Sequence, residues 1–369
     1  MKTSRKSKSA NGFSLVEIMV GMVIGMLGVL VVYQVFAVSE GQKRTTTSGG
    51  DAQQQGAMAL FTIERSVRMA GYGINDSGLL GCNVLAYNAN LPGAGTFNFT
   101  LAPVNIAHNA DDTPDSITGF YSSAGTLIAP AKLQENMTTS TQALRVDNRY
   151  GFGLGDLVIA SSPTLDCSMY EITSLPTGTQ ADYINHDSGT YTNADAVVVP
   201  SLYNSAAGLG VNYPLYDITS QAGGRLFNIG RIPVNNVFAI QNNQLTVQAG
   251  LTGAAAVPVA DGIVQLKAQY GKDTNDDGQV DSFDSTQPTT SAEWAQIVAV
   301  RVAVVARSSL MEKPNATTGL CDTTTAASVN MPTWSGGTFD LSANADWQCY
   351  RYKTFETTVP LRNMIWKQS

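Results

Sequence analysis

One apolar run, Gly12 to Val38 (GFSLVEIMVGMVIGMLGVLVVYQVFAV), constrains this chain more than any other stretch. Twenty-two consecutive residues from Ile18 to Ser39 carry no charge. At helical rise they reach about 33 Å, enough to cross the hydrocarbon core of a bilayer. The sequence therefore predicts a transmembrane helix over about 15–39, preceded by a basic segment with Lys2, Arg5, Lys6 and Lys8. Glu17 sits at the entrance of the run, where a plain anchor has no use for it: an ionised carboxylate costs about 2.5–3.5 kcal/mol at the membrane centre.

Two ordinary readings leave residues unexplained. A secretory signal cleaved near Ala37-Val38-Ser39 fits the small residues there, but the run is too long and an acid at its entrance is atypical. An uncleaved anchor fits the basic flank yet gives no reason for Gly12-Phe13 or Glu17. The hexapeptide Gly12-Phe13-Ser14-Leu15-Val16-Glu17 resembles the signal of type IV prepilins and type II secretion pseudopilins. The resemblance implies that a membrane prepilin peptidase cuts after Gly12 and methylates the new terminus, Phe13, and that Glu17 guides filament assembly. The spacing has its own logic. An amine at Phe13 would begin a helix, and Glu17 lies one turn along, where a carboxylate complements both the amine and the positive end of the helix dipole.

Beyond this segment about 300 residues remain, ample for a large core. The formal charge is −7, and losing the four positive charges ahead of Gly12 would make it −11. An acidic body without clustered Lys and Arg argues against a nucleic-acid partner. The four cysteines, Cys82, Cys167, Cys321 and Cys349, all follow the span, and an even number on the translocated side reads as two disulfides with three possible connectivities. Proximity in sequence favours Cys82 with Cys167 and Cys321 with Cys349. No pair has zinc-ligand spacing.

After the span, Gly49-Gly50 marks a break, and Asp51 is placed to cap a second helix, Ala52 to Ala70. Ala57, Phe61 and Val67, with Leu60 beside them, form its candidate core stripe, and Gly71 suits its C-cap. Short apolar runs then alternate with Gly, Pro, Asn and Asp clusters (FNFTL, DSITGFY, QALRVDN, DLVIAS, SMYEITSL), which is strand-and-turn punctuation. Residues 201–224 read as a long loop between two halves of the sheet. A hairpin follows, NVFAIQNNQLTVQ, turning at Asn242-Asn243. In GIVQLKAQY, Val264, Leu266, Ala268 and Tyr270 alternate onto one face. Trp294 to Arg307 reads as a strand with Trp294, Val298, Val300, Val302 and Val304 buried and Arg301 and Arg307 opposite.

The order LFNIG, VQLKAQYG, an Asp-rich loop, IVAVRVAVVARS and TTVPLRNM is similar to the PilW-type minor pilins of type IV pilus assembly. The similarity covers the N-terminus and most of 225–365. It implies an α+β, pilin-like fold: leader 1–12, helix 13–70, and an antiparallel β-rich head over 71–369, with two sub-sheets split near 201–224. It also implies a structural subunit, not an enzyme, held by a single pass in the bacterial inner membrane with a periplasmic head and later placed at the extracellular pilus tip. Its partners would be other minor pilins, the major pilin and a tip adhesin. A type II secretion pseudopilin is the neighbouring reading, and a membrane-anchored periplasmic enzyme or ligand-binding protein is the alternative of another class.

Three motifs bear on chemistry. Asp273, Asn275, Asp277, Asp281 and Asp284 stand at positions 1, 3, 5, 9 and 12 of a twelve-residue stretch, with Gly278 at 6 and Gln279 at 7 to supply a backbone carbonyl. That is the ligand spacing of an EF-hand Ca²⁺ loop; a solvated Asp/Asn turn between strands is the other reading. Asp at position 12 is shorter than the usual Glu, and the flanks read as strands. Gly151, Gly153 and Gly155 lack the following helix of a dinucleotide site, so they predict a turn. His108 and His186 have no partner that spacing alone identifies, and no GxSxG signature is present.

Overall fold

A computed structural model describes residues 12, 14–74, 76–93, 95–110, 112–125, 129–315, 317–325 and 331–365. One helix, α1 (Leu15–Met69, 55 residues), organises it. The break expected at Gly49-Gly50 does not occur: both glycines lie inside α1, and Asp51 is an interior residue with no capping role. Glycine costs about 1 kcal/mol relative to alanine in a helix, but tertiary packing sustains most helices. The head begins to cover α1 at this level, with Ser48 and Ala52 both buried. The C-terminus follows expectation. Ala70 N–H donates to the Val67 carbonyl, and Gly71, at φ +82°, turns its N–H to the Phe120 carbonyl.

The buried stripe of α1 differs from the sequence reading. Ala59, Ile63, Val67 and Ala70 are fully buried, whereas Ala57 and Phe61 face outward and Phe61 is 65% exposed. The core side is marked by a residue too small to look apolar: a Cβ on Gly56 would lie 2.1 Å from the Phe355 ring, so the ring packs directly on helix backbone.

Among the described residues three larger sheets hold the head, with three two-stranded ones beside them. The first comprises Ser282–Asp284, Ile263–Lys272, Ile297–Arg307 and Tyr352–Pro360 in that order, all antiparallel. α1 packs across its last two strands. The second is antiparallel in the order Val257–Asp261, Gln244–Ala249, Val234–Gln241, Ser116–Tyr121, Val104–Ala107. The third runs Thr96–Leu101, Cys82–Tyr87, Leu165–Glu171, Leu157–Ser162, Arg225–Gly230, Ala131–Lys132. It departs from antiparallel pairing once, where Val84 and Leu85 lie parallel to Cys167 and Ser168. Strands from both sides of 201–224 share the second and third sheets, so that segment does not divide two sub-sheets. It is a long connection, pinned by Tyr213, whose hydroxyl donates to the Asp166 carbonyl (2.8 Å), and by the Glu171 carboxylate, which accepts the Leu202 and Tyr203 N–H groups at 2.7 and 3.1 Å.

Period-two alternation explains why one sheet serves two cores. In the third sheet Ile159, Met169, Phe227 and Ile229 join the main core beneath α1, while Val158, Ala160, Tyr170 and Leu226 join a second core with Leu133, Ile184 and Tyr213. The Ile297–Arg307 strand is likewise covered on both faces. Val300, Val302 and Val304 enter the main core, and Ala303 and Val305 meet Phe339 and Leu341. A register shift between Ile263 and Gln265 explains another difference: Ile263 turns into the main core and Val264 goes to the opposite face.

Trp294 is not in that strand. Thr290 and Glu293 form a capping box for a short helix, α2 (Ser291–Ala295), and Trp294 rests on it edge-on to Tyr270, ring centroids 5.7 Å apart. The Asn242-Asn243 turn is as expected, with φ of +51° and +59° between paired Gln241 and Gln244. Both favoured disulfides are present: Cys82–Cys167 (Cα–Cα 6.0 Å) and Cys321–Cys349 (4.8 Å).

The stripe assignment is testable by thermal or chemical denaturation of the detergent-solubilised full chain. Ile63→Ala is expected to cost about 2–5 kcal/mol, and Phe61→Ala to stay within about 0.5 kcal/mol of the parent. A larger loss from Phe61→Ala would put the wrong face of α1 against the head.

Candidate functional site

The N-terminal half of α1 is the first candidate. Every described side chain from Leu15 to Val38 is exposed, including Leu15 (74%) and Phe36 (70%), and nearly all are apolar. A water-soluble protein does not leave such a surface bare. Ser14 occupies the N-cap position in extended conformation (φ −72°, ψ 145°) without a side-chain cap, and its carbonyl accepts from the N–H groups of Glu17 (3.0 Å) and Ile18 (3.1 Å). Glu17 is thus in the first turn of α1, exposed, at the positive end of the helix dipole. Gly12 is exposed; Phe13 and the basic residues of 1–11 lie outside the described residues.

The Asp-rich loop joins Ile263–Lys272 to Ser282–Asp284. Asp273 is buried and draws the loop around its carboxylate, with Oδ1 accepting from Asp276 N–H (2.7 Å) and Oδ2 from Gly278 N–H (2.8 Å). Asp276 and Gly278 take positive φ, +63° and +80°, to make the turn. Asp281 accepts from the Thr274 hydroxyl and N–H, both at 2.7 Å, which holds its carboxyl below the usual range, and it touches Asn275 Nδ2 at 3.2 Å. The Asn275 and Asp277 side-chain oxygens accept from the N–H groups of Asp277 (3.0 Å) and Gln279 (2.8 Å). Asp284 has other company. Its Oδ1 accepts from Lys272 Nζ at 2.7 Å and from Thr286 N–H at 2.8 Å, across the strand pair. Burial pushes the Asp284 carboxyl up, but these hydrogen bonds outweigh it and leave it lowered. Among the described residues no group of three His, Cys, Asp or Glu side chains converges as a ready metal cage.

Sequence reasoning missed a buried ion pair, Asp115 with Lys267, bordered by the exposed His108. The Asp115 carboxylate, 0% exposed, meets Lys267 Nζ at 3.2 Å and His108 Nδ1 at 3.1 Å. The ammonium also donates to the carbonyls of Asn109 (3.2 Å), Ala110 and Thr113 (both 2.8 Å), so it holds the 109–115 segment from inside. Lys267 lies in an otherwise apolar strand run, and Asp115 directly precedes SITGFY, but 152 residues separate them. Only the pairing of distant segments creates the site. Removing either partner would strand a buried charge, which fits a structural role.

The remaining motifs are structural. His186 is buried against Tyr170 (centroids 4.2 Å), its Nε2 2.8 Å from the Gln142 carbonyl, and burial lowers its basicity. Gly151–Gly155 form the expected turn, closed by the Asp156 carboxylate accepting from Gly153 N–H at 2.8 Å.

Comparison with known proteins follows the same two regions. The family model of type IV pilus-assembly protein W matches residues 227–363, and that of the prokaryotic N-terminal methylation motif matches residues 7–33. No curated protein sequence matches the chain. Among solved structures, a type IV-like pilin from Thermus thermophilus aligns over 85% of this chain and 96% of its own, at 9% identity and a TM-score of 0.31.

Proposed function

We propose that this chain is a PilW-like type IV minor pilin that works in the complex that primes pilus assembly and remains at the tip of the filament. Pilus assembly is the task of the family its sequence matches; the tip position is inferred from the head. One observation carries the reading: a single helix is bare and apolar over its first half and packed on a head over its second. Such a helix anchors in lipid and, when withdrawn, needs an equally apolar surface, which a filament core of similar helices supplies. A head this large, repeated along a thin fibre, would crowd its neighbours, which favours few copies at one end.

In this reading the prepilin peptidase releases 1–12, methylates Phe13, and leaves Glu17 to pair with an amino terminus in the filament. A carboxylate that is expensive in lipid becomes partnered on assembly. The head lies on the periplasmic side of the inner membrane, and the partners are other minor pilins, the major pilin and a tip adhesin. The match over 227–363 supports a pilus over a type II secretion apparatus.

Glu17→Val tests the pairing. The variant is expected to insert and be cleaved normally, because its span is more apolar, yet to reduce piliation and its own incorporation, read by electron microscopy and immunoblotting of sheared pili. Normal numbers of pili containing the variant would contradict the role given to Glu17.

The Asp-rich loop is proposed as a Ca²⁺ site built from Asp273, Asn275, Asp277 and Asp281 with the Gln279 carbonyl. Asp284 is left to Lys272. Four carboxylates, Asp276 among them, crowd residues 273–281, and a cation would offset their repulsion. Binding to the folded state alone stabilises by about 2.7 kcal/mol at one hundred times Kd. The full chain in detergent is expected to melt higher in millimolar Ca²⁺ than in chelator. The gain should vanish in Asp273→Ala with Asp277→Ala and persist in Asp276→Asn. Equal melting temperatures in metal-free and Ca²⁺-loaded protein would make the loop a solvated turn.

A further inference from the structure

We propose that residues 308–315 form a membrane foot: they set the head down on the phospholipid headgroup layer beside α1, with Leu310 and Met311 entering the interface. This rests on the reading of α1 as a spanning helix, because that helix is the ruler. The uncharged run ends at Ser39. Gly41 lies about 3 Å beyond it along the axis and Ser48 about 14 Å. Gly41 and Ser48 line one cavity of about 310 Å³ together with Leu310, Met311, Lys313 and Arg351. Each headgroup layer is about 5–7 Å deep outside the hydrocarbon core; the loop descends along α1 from Ser309, whose hydroxyl donates to the Asp51 carboxylate at 3.3 Å, about 18 Å beyond the run, to the Gly41 end of the cavity, which lies within that layer.

The side chains suit that level. Leu310 and Met311 are 44% and 45% exposed although they adjoin the well-packed strand ending at Arg307, and Leu320, just past the foot in sequence, is 69% exposed. The foot is held to the head on two sides. Ser308 N–H donates to the Arg351 carbonyl and Glu312 N–H to the Cys349 carbonyl, both at 2.8 Å, and Cys349 is bonded to Cys321. Arg351 Nε donates to Glu312 Oε1 at 2.8 Å, which neutralises that acid, and Asp322, the second acid nearby, accepts from Asn315 Nδ2 at 2.7 Å. Lys313 on the loop and Lys43 on α1 are both exposed, and lysines at a membrane surface are drawn to lipid phosphate. Glu40 and, further along the helix, Asp51, which accepts from the Ser309 hydroxyl, are the opposing charges on α1. The occupant is lipid and not a second protein because the helix that carries the cavity is itself immersed there. A protein partner would first have to displace the bilayer.

The consequence is orientational. A span alone leaves the head free to swing about the helix exit, whereas a foot fixes its height and tilt, and release of the foot becomes part of leaving the membrane.

Depth measurement on the full chain, reconstituted in phosphatidylethanolamine–phosphatidylglycerol vesicles, tests this. The native cysteines are paired, so a single introduced thiol takes an environment-sensitive fluorophore. Three sites suffice: Leu310→Cys in the foot, Val29→Cys in the span, and Ile218→Cys in the loop next to Arg225, which pairs with Asp76 beyond the far end of α1. The Leu310 label is expected to be blue-shifted and quenched by headgroup-attached nitroxide lipid, the Val29 label to be quenched by deep-chain nitroxide, and the Ile218 label by neither. Met311→Cys repeats the foot measurement if Leu310→Cys folds poorly. A quenched Val29 label with a foot label as water-exposed as Ile218 would overturn the foot alone. An unquenched Val29 label would overturn the spanning helix and the foot with it.

Discussion

Everything in this molecule depends on one helix whose two halves present different surfaces. Over Leu15–Val38 α1 shows apolar side chains in every direction, all exposed among the described residues; over 52–70 the chain is one-sided, and the buried side is made of Gly, Ala, Ile, Val and Ser66. The first half suits an environment as apolar as itself on all sides. The second suits a sheet pressed close on one side and water on the other. Continuity between them at Gly49-Gly50 matters because one unbroken helix couples the position of the head to that of the apolar half.

The head is arranged to grip that rod. The antiparallel sheet ending in Tyr352–Pro360 lies against α1, with Phe355 resting where Gly56 leaves bare backbone. The two disulfides lie at different places in this arrangement: Cys82–Cys167 adjoins the one parallel strand pairing, and Cys321–Cys349 closes the loop that folds back toward Gly41 and Ser48. Charges are buried where distant segments meet. Lys267 and Asp115 tie the 109–115 connection to the central strand, in the way a bound cation would tie an acidic loop.

Local signals were legible in the sequence: the apolar run, the Asn242-Asn243 turn, most strands and both cysteine pairs. What could not be read came from packing at a distance. Phe61 looks like core by hydropathy, but Gly56 is what the sheet needs, and only contact with Phe355 reveals it. Val264 broke its own alternation because one extra residue was inserted against Val305. Trp294 looked like the start of a strand since aromatic and β-branched residues follow it, although Thr290 and Glu293 were a visible capping box. Asp284 sat at the right spacing for a ligand, and the cross-strand Lys272 took it instead.

The account turns on whether the helix begins at Phe13 as a processed, positively charged terminus one turn from Glu17. The most direct measurement is mass spectrometry of the N-terminal peptide of the mature protein, purified from a pilus-competent host. The account predicts an N-methylated Phe13 as the first residue. An intact basic leader, or a first residue near Glu40, would contradict it.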